Sequence, residues 1–325
     1  MTEAKKKEPF VSVLTPVYNG AKYLEECIQS VLNQTYHNWE YVIVNNQSTD
    51  NSLQIIEEYA KKDERIRIHN NEEFLPQMEN LNHAFRQISP ESKYCKVVHA
   101  DDMIFEDCLR KMVSLAEKYP SIGVVSSYRL DDKRVGLSGL PYTSEYNEGR
   151  EICRDFLMGH SYYFGAPSTL LLRSSLIRKR KKVYDESYPE SDITACLDML
   201  RESDFGFVHQ VLSFTRRHNE SVTNKVAKKN STFIFGYLKM HLDYAHYFLT
   251  EDELKQQTQR RIEIFYIQFA RQMLHYKSVE IYRRHKKELA KLQVPFKPLK
   301  MLKHILLEIF KVPTINFLER RGFEQ

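Results

Sequence analysis

The sequence predicts an α/β fold: an open, mainly parallel sheet with helices on both faces, followed by a C-terminal helical region. Three observations carry that prediction. Short apolar segments alternate with segments of helical period through the first half of the chain. Those apolar segments are nearly continuous rather than alternating, as strands buried on both faces are. From about residue 231 to the end the pattern is helical throughout, rich in Tyr and Phe, and basic.

In order, "FVSVLTPV" is a β-rich run closed by a proline and the turn "YNG". A helix follows from Ala21, with Leu24, Ile28, Val31 and Leu32 on one face. "YVIVNN" is a second strand, and "STDNS" is a helix-start signal before a helix carrying Leu53 and Ile56. "IRIH" is a third strand, residues 77 to 88 a third helix with Leu81, Ala84 and Phe85 inward, and "YCKVVHA" a fourth strand. Residues 107 to 119 read as a helix and "IGVVSSY" as a strand. Residues 131 to 149 are polar and turn-rich, hence expected to be a mobile surface segment. "STLLLR" and "FGFVHQVLSFTRRH" are further strands, with "DITACLDMLRES" a helix between them.

Hydrophobic residues at 42% and charged residues at 28% of 325 suit a soluble protein with a sizeable core. The net charge of +5 is uneven: from Lys225 onward 20 basic residues face 10 acidic ones, against 28 and 33 upstream. The five cysteines show no CxxC spacing and lie among apolar neighbours, so buried thiols in a reducing compartment are expected. "MTEAKKKEPF" lacks the apolar stretch of a secretory signal, and no segment reaches the ~18 apolar residues of a spanning helix. A cytoplasmic protein is expected, with peripheral contact to the inner face of the membrane left open. No recognition motif accompanies the basic charge, which argues against nucleic acid as a partner.

In an open parallel sheet, ligands bind beyond the C-terminal ends of the strands. Three strands end in polar residues: Tyr18-Asn19, Asn45-Asn46 and Asp101-Asp102. The adjacent carboxylates repel, by about 4 kcal/mol at ~4 Å near a protein surface, so a cation is expected to offset them. A hard divalent ion such as Mg²⁺ or Mn²⁺ suits such a pair; an Asp-rich turn before the next helix is the plainer alternative. There is no GxGxxG, no GxxxxGK[ST], no serine nucleophile elbow and no His/Cys cluster for zinc.

"VSVLTPVYNGAKYLEECIQSVLNQTYHNWEYVIVNNQSTDNS" followed by "KVVHADD" strongly resembles glycosyltransferase family 2, the inverting enzymes of GT-A fold, over roughly residues 10 to 223. A flexible stretch is expected at residues 1–9, and the resemblance implies a GT-A domain at 10–223. In that domain residues to about 130 bind nucleotide and 131–223 the acceptor, before a basic helical region at 224–325. It implies a donor that is a nucleoside-diphosphate sugar, most simply a UDP-sugar, and a hydroxyl acceptor on a glycan, lipid or protein in cell-surface glycan assembly.

Carried over by position, Tyr18 lies against the nucleobase and Pro16 walls the pocket. Asn45 and Asn46 stand where the family usually has at least one Asp; a carboxamide can still accept from a ring N–H and donate to a ring carbonyl, and Asn46 is the expected base contact. Asp101 reaches the ribose or metal-bound waters and Asp102 ligates Mn²⁺ or Mg²⁺. Asn82 loosely matches a polar position near the nucleotide, an exposed helix Asn being its alternative. Asp192, in "YPESDITACLDML", matches the general base; on its own it is also a good helix cap, and Glu190 and Asp198 are rivals. "FTRRHNESVT" matches a closing Arg-x-His segment, placing Arg216 (or Arg217) at the diphosphate and His218 in the metal shell. "GAPSTLLLR" matches a segment lining the acceptor side, where small residues let substrate approach.

The C-terminal third lies outside the resemblance. "LKMLKHILLEIFKVP" reads as a basic amphipathic helix, suited to a membrane surface, to docking on the catalytic domain or to a homo-oligomer contact. Two other classes stay open. A sugar nucleotidyltransferase would carry a Gly-rich basic N-terminal loop that "TPVYNGAKY" lacks; a non-catalytic nucleotide-binding scaffold is suggested by the Asn45-Asn46 departure and opposed by Asp102 and Asp192.

Overall fold

The computed structural model describes residues 8–188, 191–217, 232–276 and 278–310. The first half runs β1 (Val11–Val17), α1 (Ala21–Leu32), β2 (Trp39–Asn45), α2 (Ser52–Ala60), β3 (Ile66–Asn70), α3 (Gln77–Phe85), β4 (Tyr94–Val97), β5 (Met103–Ile104) and α4 (Cys108–Lys118). Then come β6 (Ile122–Asp131), β7 (Arg134–Gly136), β8 (Tyr146–Asn147), α5 (Gly149–Met158), β9 (Leu171–Arg173), α6 (Ser174–Arg178), α7 (Ser191–Met199) and β10 (Asp204–Thr215). Helices α8 (Thr232–Tyr244), α9 (Glu251–Tyr276), α10 (Val279–Lys291) and α11 (Pro298–Ile309) complete the described chain.

Among the described residues the strands form one sheet in the order β3-β2-β1-β4-β9-β6-β10-β5, with β7 on β6 and β8 on β10. The β3-β2-β1-β4 half is parallel, and β9 enters antiparallel between β4 and β6. The sheet is therefore mixed but mainly parallel, as the sequence predicts. β1 and β2 are apolar along almost their whole length because both their faces are covered. Helix α1 lays Leu24, Cys27, Ile28 and Val31 against a core shared with Val11, Val13, Ile43 and Tyr94.

Residues 131 to 149 depart from expectation. The polar run is tied to the sheet as the β6–β7 hairpin and the β8 pairing, and Leu137 is buried within it. Polarity marked exposure, which is high along most of the segment despite its strand pairings. All five cysteines are buried free thiols, with burial pushing Cys27 up to about 12.

The described residues divide into two compact units: one holds residues 8–152, 162–187 and 191–217, the other 153–161, 188, 232–276 and 278–310. The second has its own core, built from Leu238, Phe265, Tyr266, Phe269, Leu289 and Met301. Among the described residues no helix is long and apolar enough to cross a membrane.

Candidate active site at the strand ends

The parallel half of the sheet brings four strand exits to one edge. β1 leaves through Tyr18, half exposed, and Asn19, whose φ of 50° is one that Asn tolerates. Asn19 Oδ1 accepts the Thr49 amide at 2.7 Å, and the Ser52 hydroxyl accepts the Gly20 amide at 2.9 Å, lacing the β1 exit to the β2 exit. Gly20 must be glycine here: a Cβ would stand 2.7 Å from Val17 and 3.2 Å from Ala100, the residue before the Asp pair. Pro16 is within β1, in register with Val44.

The β2 and β3 exits form a carboxamide cluster. Asn45 Nδ2 donates to Asn70 Oδ1 at 3.0 Å, and Asn71 Nδ2 donates to both Asn46 Oδ1 (2.8 Å) and Asn80 Oδ1 (2.9 Å). Asn46 further donates to the Leu75 carbonyl at 2.8 Å and accepts the Leu75 amide at 2.9 Å. Asn70, Asn71 and Asn80 are absent from the sequence reading. The signal was present, since "IRIHNN" ends β3 as "YVIVNN" ends β2.

Asn82 is neither an exposed helix residue nor turned to a ligand. It is buried, its Oδ1 accepts the Val183 and Tyr184 amides at 2.9 Å each, and its Nδ2 donates to the Tyr184 carbonyl at 2.7 Å. Both ends of its amide pin the 183–184 backbone, which leaves nothing for a nucleotide.

At the β4 exit Asp102 is buried at 3% exposure, with Asp101 half-buried beside it. Burial holds the Asp102 carboxyl above the usual carboxylate range and Asp101 adds to that; His99, the Ser168 hydroxyl and the Arg216 amide pull the other way. The Arg216 amide donates to Asp102 Oδ1 at 3.1 Å. The Arg216 guanidinium donates to the Asp101 carbonyl at 3.2 Å, pairs with Glu26 at 2.6 Å and lies 4.4 Å over the Tyr23 ring. Arg216 thus clasps the Asp pair, and Glu26 is exposed enough for that pairing to be exchangeable. Arg217 pairs instead with Asp131.

A lysine inside the apolar run "YCKVV" proves to brace this loop. Lys96 is fully buried, and its Nζ donates to the Ser168 carbonyl at 2.6 Å, while Ser168 Oγ accepts the His99 amide at 3.0 Å. The small residues of "GAPS" are therefore needed for packing beneath the Asp pair. Gly165 has φ +84° and a Cβ there would meet Leu137 at 2.8 Å.

Asp192, in the first turn of α7, receives the Ile193 amide at 2.9 Å. Burial raises its carboxyl, while Arg129 and His99 lower it. His99 acts electrostatically on both Asp102 and Asp192, and the β4 exit brings Asp101, Asp102 and Arg216 together at the edge where β1 ends in Tyr18. Asp198 is instead salt-bridged to Arg180 at 2.5 Å. His218 and Glu190 lie outside the described residues.

No group of three His, Cys, Asp or Glu side chains suited to a metal occurs among the described residues. Two carboxylates, one buried and held protonation-prone, fit a hard divalent cation that takes its other ligands from phosphates and water; they do not fit zinc.

The glycosyl transferase family 2 model matches residues 12–180. The sequence is similar to an uncharacterized glycosyltransferase of Haemophilus influenzae, 31% identical over 195 residues, 57% of this chain and 58% of that relative, so less than two thirds of the relative is spanned. The fold is similar to that of S. aureus TarS residues 1–349 in complex with UDP-GlcNAc, with TM-score 0.66 and 17% identity over 86% of this chain and 80% of that one. It is also similar to the mannosyltransferase PcManGT of Pyrobaculum calidifontis in complex with GDP-Man and Mn²⁺, with TM-score 0.58 and 13% identity over 94% and 88%.

Proposed function

The chain belongs to glycosyl transferase family 2, and from that premise we propose an inverting, metal-dependent transfer of a sugar from a nucleoside diphosphate, most simply UDP, to a hydroxyl acceptor in cell-surface glycan assembly. The observation that carries this reading is the Asp pair at the β4 exit, with Asp102 buried and accepting the Arg216 amide and the Arg216 guanidinium on the Asp101 carbonyl, at the sheet edge where β1 ends in Tyr18. The nucleotide-sugar ligands of TarS and PcManGT, and the Mn²⁺ of the latter, support the donor class and the ion.

Asp192 takes the proton of the acceptor hydroxyl as that oxygen attacks the anomeric carbon. The bond from that carbon to the diphosphate breaks on the opposite face, and the diphosphate leaves with the electron pair. Burial makes Asp192 a stronger base than a solvated aspartate, moving it toward working pH. Asp101 and Asp102 would hold Mn²⁺ or Mg²⁺, which when bound stabilises charge on the leaving diphosphate. Tyr18 offers the base an aromatic face, and Arg216 offers the diphosphate a cation beside the Asp pair.

The test is release of nucleoside diphosphate from a panel of UDP- and GDP-sugars with Mn²⁺ or Mg²⁺, in the presence and absence of a glycan acceptor. Acceptor-stimulated release is expected. Nucleotide binding without release from any of them would leave the scaffold reading and overturn the enzyme.

A second reading concerns α11. Leu299, Leu302, Leu306, Ile309 and Phe310 are exposed along one stripe, while Met301 and His304 face the helical core. A stripe of this kind beside Lys303 supports docking on an anionic membrane surface.

A further inference from the structure

We propose that Phe74 is a second aromatic wall of the nucleobase site, and that Asn46 is the positioning residue that holds it there. The inference rests on the donor reading above and adds to it how this chain grips the base.

Phe74 lies in the loop between β3 and α3, at the same edge as Tyr18. The two rings meet edge-on at 4.8 Å and 65°, forming a corner, yet they stay 54% and 50% exposed. Two large aromatic side chains half in water, side by side at a polar sheet edge, leave apolar faces that a flat base can cover. A base laid on one ring presents its edge to the other, an arrangement that suits any base because each has a π-face.

Two neighbouring side chains at the β2 exit hold the loop: Gln47 Nε2 donates to the Asn71 carbonyl, and Asn46 grips Leu75 nearer to Phe74. Asn46 donates to the Leu75 carbonyl and accepts the Leu75 amide, the two bonds a neighbouring strand would make. Its oxygen also accepts from Asn71, which is fixed in turn on Asn80. Only a carboxamide can serve both partners on Leu75. A carboxylate would accept the amide proton but face the carbonyl oxygen with like charge. An asparagine at 46, one of the two positions where the family usually has at least one aspartate, thereby has a physical cause. With its oxygen and amide so engaged and its side chain buried, Asn46 acts through the loop rather than as the base contact the sequence predicts.

The experiment is calorimetry on the full chain with Mn²⁺, using UDP, GDP and ADP, with inorganic pyrophosphate as the base-free probe. Phe74→Ala should weaken the best-bound nucleoside diphosphate about tenfold and leave pyrophosphate unchanged. Phe74→Tyr should bind like the parent. Asn46→Asp should reproduce the nucleotide loss, again sparing pyrophosphate, and Asn46→Asp combined with Phe74→Ala should be no worse than Asn46→Asp alone. Trp39 fluorescence checks that each variant is folded. Nucleotide affinity of folded Phe74→Ala within about twofold of the parent overturns the aromatic wall while the donor reading stands. A parent that binds none of the three nucleotides overturns both.

Discussion

The sheet unit and the helical unit treat polar groups in opposite ways. The sheet unit buries a group of carboxamides and a carboxylate at one edge: Asn46, Asn71, Asn80 and Asp102 are all 8% exposed or less, and each has a partner or a like-charged neighbour at the strand ends. The helical unit has an apolar core but buries several histidines as well, and leaves some apolar side chains outside. His241, His285 and His304 are buried, while Leu299, Leu302 and Phe310 face outward. His285 stacks on Phe269 at 4.2 Å and gives only its Nδ1 to a carbonyl, that of Ile281 at 2.9 Å. Polar burial concentrated at one edge marks a place where a ligand completes the electrostatics. His285, packed among aromatic rings, and His241, buried beside Arg261, mark a fold that depends on their staying neutral, whereas His304 lies against the Glu263 carboxylate at 2.7 Å.

The sharpest way to break this contrast is at Asp192. Asn keeps the size and the helix cap but cannot take a proton, so Asp192→Asn should lower transfer about 10²–10⁴-fold with donor affinity and thermal stability nearly unchanged. The kcat/KM profile of the parent should rise with pH through a carboxyl above the usual range, because the base works only once deprotonated, and that limb should vanish in the variant. Turnover of Asp192→Asn within a few-fold of the parent would return Asp192 to a helix cap.

Next in size is the metal. Calorimetry with UDP should show affinity falling roughly ten- to a hundredfold on adding EDTA or in Asp102→Ala, the scale of one lost charged contact. Affinity that ignores both treatments removes the cation from the edge.

Acid separates the two units. Burial pushes His241 and His285 down to about 4, so the folded state resists protons that the unfolded chain takes up near the ordinary histidine value of 6.5. Stability is therefore lost as the pH falls from about 6.5 toward 4, by up to roughly 3 kcal/mol for each histidine. The single Trp, Trp39, is buried in the sheet unit, so its fluorescence reports that unit alone. Helical circular dichroism should decline in this window while Trp39 emission holds. A simultaneous loss of both signals would merge the two units into one cooperative fold.

The smallest effect concerns the apolar stripe. Replacing the exposed Leu302 and Leu306 by Ser should reduce co-sedimentation with anionic vesicles without lowering thermal stability, each nearby Lys adding only about 1 kcal/mol to such binding. Full-length protein that ignores the vesicles leaves the stripe to a second copy of the chain.

By itself the sequence determined the alternating strands and helices from β1 to β4, the family, and the Asp pair, because these rest on local signals: apolar runs, helix-start residues and ordered motifs. Helix α7 and Asp192 in its first turn were legible for the same reason. The short β5, β7 and β8 and the helices α5 and α6 were not legible in it. What Asn46 and Asn82 touch was decided only by tertiary structure. Each carboxamide can donate and accept, and whether it meets a ligand or the backbone of Leu75 or Tyr184 depends on loops brought from elsewhere in the chain. The same holds for Lys96, whose partner Ser168 is 72 residues away, and for Phe74, which reads as an ordinary loop apolar residue until β1 sets Tyr18 beside it. It holds also for Tyr146 and Asn147, whose strand β8 finds its partner β10 only about 60 residues further along the chain. Local signals record which backbone conformation a segment prefers; the partners of a buried polar side chain are set by where the whole fold puts its neighbours.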